Sequence, residues 1–227
     1  DLIATGRAVS VLINTGDGIF ADKVDYPAGA SPEDVISADV NGDGKADLIV
    51  ENTSVVNANT VSVLINNGDG SFAAKVNYNT DDGEGFETGG ITSADVNSDG
   101  MADLIVTHKA SDQLSVLINN GDGTFAPKVD YAAGWRSRYI ISADVNNDGT
   151  PDLIMANGGR FVSVLINNGT GSFVDKVDYE VGGDAWDATS ADANGDGNVD
   201  LIIVQPFNNA VSVLTNNGDG SFADRVS

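Results

Sequence analysis

Oxygen-bearing side chains recur through this 227-residue sequence at one fixed spacing, Asp-x-Asn-x-Asp-Gly-x-x-Asp. The motif occurs four times, beginning at Asp39, Asp95, Asp144 and Asp192, at intervals of 56, 49 and 48 residues. A hard cation such as Ca²⁺ takes about six to eight oxygen ligands at ~2.3–2.6 Å. Side chains at alternate positions of a tight loop can converge on one such centre, and glycine at the sixth position permits the turn. The spacing therefore predicts four calcium sites, one for each complete repeat. The first uses Asp39, Asn41, Asp43 and Asp47 with the Lys45 carbonyl. The second uses Asp95, Asn97, Asp99 and Asp103 with the Met101 carbonyl. The third uses Asp144, Asn146, Asp148 and Asp152 with the Thr150 carbonyl, and the fourth Asp192, Asn194, Asp196 and Asp200 with the Asn198 carbonyl. The seventh position changes freely, as expected where only its backbone is used. An EF-hand would need Glu at position twelve and flanking helices, but that position holds Val50, Val106, Met155 and Ile203.

These loops lie in a strongly acidic chain, with 34 acids against 11 bases and a net charge of −23. Three like charges in a nine-residue loop repel one another unless a cation is present, and four Ca²⁺ would bring the net charge to −15. With a Kd near ~10⁻⁴ M, millimolar calcium would contribute roughly 1.5–2.5 kcal/mol per site, so the fold is expected to depend on calcium. The charge excludes unassisted binding to nucleic acid or an anionic membrane. No apolar run approaches the ~20 residues of a membrane helix, so no membrane insertion is expected. Cysteine is absent, which excludes disulfides and thiolate zinc. A lone histidine, His108, limits triad chemistry; it reads as a surface residue, and the chain as not an enzyme.

A second block, Val-Ser-Val-Leu-Ile-Asn-Asn-Gly-Asp-Gly-x-Phe, recurs five times with variations and ends at Phe20, Phe72, Phe125, Phe173 and Phe222. Its Asn-Gly and Asp-Gly steps, with Asp17, Asp69, Asp122 and Asp219, read as hairpin turns that tolerate positive φ rather than as metal sites. Each period reads as four strands, at 35–40, 47–50, 61–66 and 72–78 in the first complete copy. The run Val61-Ser62-Val63-Leu64-Ile65 is nearly apolar on both faces, so both faces of the sheet are expected to be buried. Four-stranded antiparallel sheets repeating every ~50 residues predict an all-β fold, a β-propeller of four-stranded blades. A β-sandwich does not predict so regular a period. One domain, 1–227, is expected, with repeats at about 1–26, 27–78, 79–131, 132–179 and 180–227.

The sequence opens on Asp1-Leu2-Ile3, which aligns with Asp47-Leu48-Ile49, so the first of the five visible repeats is expected to lack its first strand, for 19 strands in all. A longer native chain, a strand donated by a neighbour, or an open ring would each account for that.

The sequence resembles FG-GAP/VCBS-type propeller repeats, the group that includes the calcium-binding blades of integrin alpha subunits. The resemblance rests on the four in-register acidic loops and covers essentially the whole chain. It implies Ca²⁺ between the first two strands of each blade. The family's common Asp at the third position is Asn41, Asn97, Asn146 and Asn194 here, and the Phe-Gly/Gly-Ala-Pro signature is poorly preserved.

Strand parity places the acidic loops and the hairpins at one end of the sheets and the remaining loops at the other. The latter vary in length and content, at 51–60, 79–90, 107–113, 132–139, 180–187 and 205–209. Variable loops on a rigid scaffold are the usual place for recognition. They hold both tryptophans, Trp135 and Trp186, with Phe86, Arg136, Arg138, Tyr139 and Arg160 in or beside them. Aromatic platforms with Arg and Asp neighbours would suit a sugar ring; packing of both tryptophans between blades is the alternative. The functional expectation is a non-catalytic, calcium-stabilised extracellular propeller acting in adhesion, glycan or surface-protein binding, or surface assembly. The alternatives are a subunit that polymerises through its open blade edge and an accessory domain of a polysaccharide-degrading enzyme.

Overall fold

The computed structural model describes residues 1–53, 59–80 and 88–225. The chain is all-β, with one short 3₁₀ turn at Pro206–Asn208. In the first sheet β1 (Leu2–Ala4) and β2 (Val9–Leu12) are followed by a small hairpin, β3 (Asn14–Gly16) with β4 (Ile19–Phe20), and then by β5 (Val24–Tyr26), which pairs with β2. The second sheet is β6 (Pro32–Ala38), β7 (Asp47–Asn52), β8 (Thr60–Leu64) and β9 (Val76–Asn79). The third is β10 (Thr88–Ala94), β11 (Asp103–His108), β12 (Gln113–Leu117) and β13 (Val129–Ala132). The fourth is β14 (Ser137–Ala143), β15 (Asp152–Asn157), β16 (Phe161–Leu165) and β17 (Val177–Glu180). The fifth is β18 (Asp187–Ala191), β19 (Asp200–Gln205) and β20 (Ala210–Leu214). All pairings are antiparallel and, apart from β2 with β5, between sequence neighbours, and the register repeats, with Leu48 opposite Leu64, Leu104 opposite Leu117, Leu153 opposite Leu165 and Leu201 opposite Leu214. Among the described residues no strand pairing joins the first sheet to the fifth.

The core is divided among the gaps between consecutive sheets. Alternate residues of a strand point to opposite faces, so each middle strand feeds two cores. Leu48, Val50 and Leu64 pack back on Val9 and Val11, while Ile49, Val61 and Val63 pack forward on Leu104, Val106 and Leu117. The same alternation continues through Ile105 and Leu114 against Leu153 and Met155, and through Ile154 and Val162 against Leu201 and Ile203. Strands β7, β11 and β15 are buried at every residue. The first strands β6, β10, β14 and β18 pack beside one another along the row.

Two devices fasten consecutive sheets, the first at all four junctions and the second at the last three. A tyrosine on the last strand meets, edge to face, the phenylalanine of the following repeat's hairpin loop: Tyr26–Phe72, Tyr78–Phe125, Tyr131–Phe173 and Tyr179–Phe222, with centroids 5.2–5.4 Å apart. The side-chain amides of Asn119, Asn167 and Asn216 donate to carbonyls of the preceding repeat's acidic loop, at Val40 (2.9 Å), Val96 (2.8 Å) and Val145 (2.7 Å).

The described strands differ from the expected ones where these fasteners act. Strand β9 begins at Val76 rather than residue 72, because Phe72 turns into the gap between sheets and makes only an isolated bridge with Asn66. Strand β8 ends at Leu64 rather than 66, and β6 spans Pro32–Ala38 rather than 35–40. The hairpin β3–β4 adds two strands to the expected 19, and among the described residues the fifth sheet has three strands rather than four, which makes twenty. Val226, where the last strand was expected to end, lies outside the described residues.

His108 is only 1% exposed, which corrects its reading as a surface residue. Its Nε2 lies 2.8 Å from Ser115 Oγ, which donates to Asp130 Oδ1 at 2.6 Å. Ser62 links Asn52 to Asn77 in the same way, and Ser163 links Asn157 to Asp178. These central serines, which sequence shows only as small residues in an apolar run, carry a polar ladder across strands two to four.

Phe125 is 7% exposed in the gap between the second and third sheets. Phe125→Ala is expected to destabilise by about 3–5 kcal/mol in urea unfolding. Val129→Ala, on the exposed last strand of the same sheet, is expected to stay within about 0.5 kcal/mol.

Candidate functional site

Each acidic loop is built by its own carboxylates. At the first position Asp39 accepts from the N–H groups of Gly42, Asp43 and Gly44 (2.8, 3.2 and 2.7 Å), and Asp192 likewise from Gly195, Asp196 and Gly197. Asp95 and Asp144 accept from the residues four and five along. The Asn41, Asn97, Asn146 and Asn194 Oδ1 atoms accept from the fifth residue's N–H. The fifth-position Asp43, Asp99, Asp148 and Asp196 accept from the N–H of Lys45, Met101, Thr150 and Asn198. The sixth-position glycines, such as Gly44 at φ +81° and Gly100 at φ +88°, take a backbone that L side chains rarely adopt.

The ninth-position Asp47, Asp103, Asp152 and Asp200 are fully buried. One oxygen of each takes the N–H of the loop's second residue, and the other takes the N–H at the entrance to the hairpin: Val40 and Asn66 for Asp47, Val96 and Asn119 for Asp103, Val145 and Asn167 for Asp152, Ala193 and Asn216 for Asp200. Burial, then the charges of the two neighbouring loop aspartates, push the Asp47, Asp103 and Asp152 carboxyls above the usual range against those hydrogen bonds. The carboxylates of each loop are turned onto amides, and among the described residues no three His, Cys, Asp or Glu side chains are gathered into a metal cage. The donor set still fits a hard cation: every side-chain donor is oxygen, and among the described residues no ion pair neutralises the buried ninth-position carboxylates.

The hairpin aspartates act as turn residues. Asp69, Asp122 and Asp219 each accept from both the backbone and the hydroxyl of the residue two along.

At the opposite end of the sheets lies a cleft of about 520 Å³, lined by Lys109, Arg136, Arg138, Tyr139, Trp186 and Asp187. Three connections meet there: the turn after β11, the entry to β14 and the entry to β18. Arg138 lies 4.5 Å above the Trp186 ring, and Arg136 lies 5.6 Å from the Trp135 ring. Arg136 has a left-handed backbone (φ 53°), held where Asp112 Oδ1 accepts its N–H and its carbonyl accepts from Gly158. Trp186 is braced edge-on by Phe207 at 5.5 Å. Burial, then the charges of Asp187 and Asp34, raise the Tyr139 phenol above its ordinary pKa.

Of the five residues sequence placed in a ligand site, the structure brings Arg136, Arg138, Tyr139 and Trp186 together; Trp135 stands outside the lining and supports Arg136. Packing of both tryptophans between sheets does not occur, since Trp135 is 60% and Trp186 46% exposed. Arg160 faces Glu180 instead (3.9 Å), and Phe86 lies outside the described residues. Lys109 and Asp187 were missed as individual residues; their only signal was a place in the variable loops.

A family model of the FG-GAP-like repeat matches residues 1–50, 54–106, 95–155 and 144–203. An Agrocybe aegerita lectin, whose structure is described as the basis of specific recognition of non-reducing terminal N-acetylglucosamine, is similar at 28% identity and a TM-score of 0.69, over 97% of this chain and 60% of the lectin's. The V. cholerae biofilm matrix protein Bap1 is similar at 21% identity and a TM-score of 0.41, over 89% of this chain and 40% of that one. This chain therefore spans less than two thirds of either protein. A search of curated protein sequences finds no match.

Because the Asp187 charge helps to hold the Tyr139 proton, Asp187→Asn is expected to move one tyrosine's ionisation to lower pH. A difference titration of phenolate absorbance between variant and wild type measures it.

Proposed function

The chain belongs to the FG-GAP-like repeat family, and from that membership and its geometry we propose that it is a non-catalytic, calcium-stabilised β-propeller that binds glycan outside the cell. Five sheets stacked face to face, each a meander in sequence order, with the first strands packed together along the row, support five blades of one domain, the first and, among the described residues, the fifth with three strands. The likeness in fold to the Agrocybe aegerita lectin supports the same reading.

Calcium would be held by Asp39, Asn41, Asp43, Asp47 and the Lys45 carbonyl, and by the equivalent sets in the other three loops. Bound there, it supplies positive charge to a loop whose carboxylates otherwise face one another. The ninth-position aspartates already tie each acidic loop to its hairpin, and Asn119, Asn167 and Asn216 tie that hairpin to the preceding loop. Strengthening one loop therefore strengthens the junction between two sheets. Calcium is millimolar outside cells, which suits weak loop sites of this kind.

The glycan reading is carried by the cleft. Trp186 and Tyr139 offer half-exposed rings, and Arg136, Arg138, Lys109 and Asp187 offer donors and an acceptor around them. Aromatic surface ringed by polar groups matches a pyranose, which has an apolar C–H face and a hydroxyl rim. The cleft sits on connections between rigid strands, where its shape is set before a ligand arrives.

Two measurements test these parts separately. At about 1 mM free calcium, four sites of ~1.5 kcal/mol each predict that EDTA lowers Tm by on the order of 10–20 °C. Asp43→Asn keeps an acceptor for the Lys45 N–H and removes one like charge. It is expected to leave Tm unchanged or slightly raised in EDTA and to lower it by a few degrees in calcium. A wild-type Tm indifferent to calcium refutes the calcium reading. For the cleft, glycan-array binding in calcium is expected for wild type and to fall below detection for Trp186→Ala with its melting preserved; an array without hits refutes glycan binding.

A further inference from the structure

The distribution of positive charge narrows the ligand class. The chain has only 11 basic residues. Lys23, Lys45, Lys128 and Lys176 each pair with an aspartate two residues away, and Arg160 faces Glu180. Lys109, Arg136 and Arg138 line the cleft, where, among the described residues, Asp187 is the one carboxylate of the lining. Among the described residues the lining holds three cationic side chains and one carboxylate, in a chain of net charge −23.

Arg138 carries the argument furthest. Its guanidinium lies against the Trp186 ring, and its Nη1 is enclosed without any hydrogen-bond acceptor. A buried charged donor without an acceptor is costly, and a planar guanidinium fork is matched best by a carboxylate accepting two parallel hydrogen bonds. Asp187 distinguishes among anions. Its Oδ1 accepts from the Ala188 N–H at 2.7 Å, and the residue lines the cleft, so its other oxygen can accept from a hydroxyl donor. A doubly charged phosphate would meet that carboxylate at close quarters, whereas a singly charged acid carrying neighbouring hydroxyls satisfies both groups. The protonated Tyr139 phenol adds a donor beside them.

We propose that the cleft between the turn after β11 and the entries to β14 and β18 selects a carboxylated sugar, a uronic-acid residue. Its carboxylate is taken by Arg138 with Lys109 and Arg136 beside it, its ring lies against Trp186 and Tyr139, and a hydroxyl donates to Asp187. This rests on the glycan reading above and adds the substrate class.

The test titrates the full chain, in calcium, with a glucuronate-containing tetrasaccharide and with the same tetrasaccharide after its carboxyls are reduced to primary alcohols, read by calorimetry and tryptophan fluorescence. The acidic form is expected to bind at least about tenfold more tightly, in line with one charge-assisted hydrogen-bonded pair, and the advantage is expected to shrink as salt rises. Arg138→Gln is expected to abolish the difference. Lys23→Gln, which removes the same charge beside the outer strand of the first sheet, is expected to preserve it. Comparison of the two sugars on wild type requires no variant, so the proposal stays testable if Arg138→Gln fails to fold. Equal binding of both forms, sensitive to Trp186→Ala, overturns the acidic selectivity and leaves the glycan reading standing. Binding of neither overturns the uronic-acid proposal, while the glycan reading is decided by the array. Displacement of the acidic sugar by an equal concentration of sodium acetate overturns the proposal, because the site then takes a carboxylate without its sugar.

Discussion

A sheet whose two middle strands are apolar on both faces cannot stand alone in water. Leu48 and Ile49 are adjacent in sequence and almost wholly buried, yet they serve different cores, one shared with the sheet before and one with the sheet after. Each repeat is therefore complete only when it is flanked, and the stability of the chain is carried by junctions between sheets more than by the sheets themselves. The junctions combine an apolar filling with two directional contacts, the tyrosine–phenylalanine edge pair and the asparagine amide to the preceding loop's carbonyl. The filling drives the stacking; the directional contacts fix the offset between sheets, since an amide hydrogen bond tolerates little sliding.

The acidic loops belong to this same economy of junctions. Asp47, Asp103 and Asp152 are carboxyls whose pKa burial raises, and what they hold is the entrance to the hairpin, at Asn66, Asn119 and Asn167. Two of those residues donate onward to the previous repeat. Backbone amides can close such a loop, but they leave its total negative charge in place. The proposed calcium sites answer that remaining problem at the position where relief is transmitted to the next sheet.

The architecture was legible in the sequence because it is periodic. The recurring Asp-x-Asn-x-Asp-Gly loops, the Asn-Gly hairpins and the double-faced apolar runs state the repeat, the strand order and the burial without long-range information. What was missed involves residues whose partners lie elsewhere in the chain. Phe72 looks like the start of a strand, but its ring is committed to Tyr26 of the previous repeat. His108 stands beside polar residues at a strand end, yet the strand pairing of β11 with β12 puts it beside the buried Ser115. Trp186 and the arginines could be assigned to variable loops, whereas their meeting with Lys109 and Asp187 depends on three connections from three repeats. Periodicity names the loops; only the stacking angle between sheets decides which loop tips touch.

Placing the two kinds of site at opposite ends of the strands has an electrostatic consequence. The acidic loops would be expected to cancel a small positive cleft on so anionic a molecule. Strands such as β11, with six residues, separate the ends by roughly 20 Å at about 3.4 Å per residue. That is more than twice the Debye length of ~8 Å at physiological ionic strength. The far acidic end thus contributes little potential at the cleft, and among the described residues its field is set by nearby groups: Lys109, Arg136 and Arg138, the carboxylates of Asp187, Asp34 and Asp112, and the aromatic faces against which the two arginines lie. Screening permits an anionic protein to present a locally cationic pocket, and it confines that pocket's attraction to ligands already within a few ångströms. Recognition at the proposed site would depend on contact geometry rather than on long-range steering, so the fixed backbone of Arg136 and the ring beneath Arg138 matter more than the overall charge of the chain.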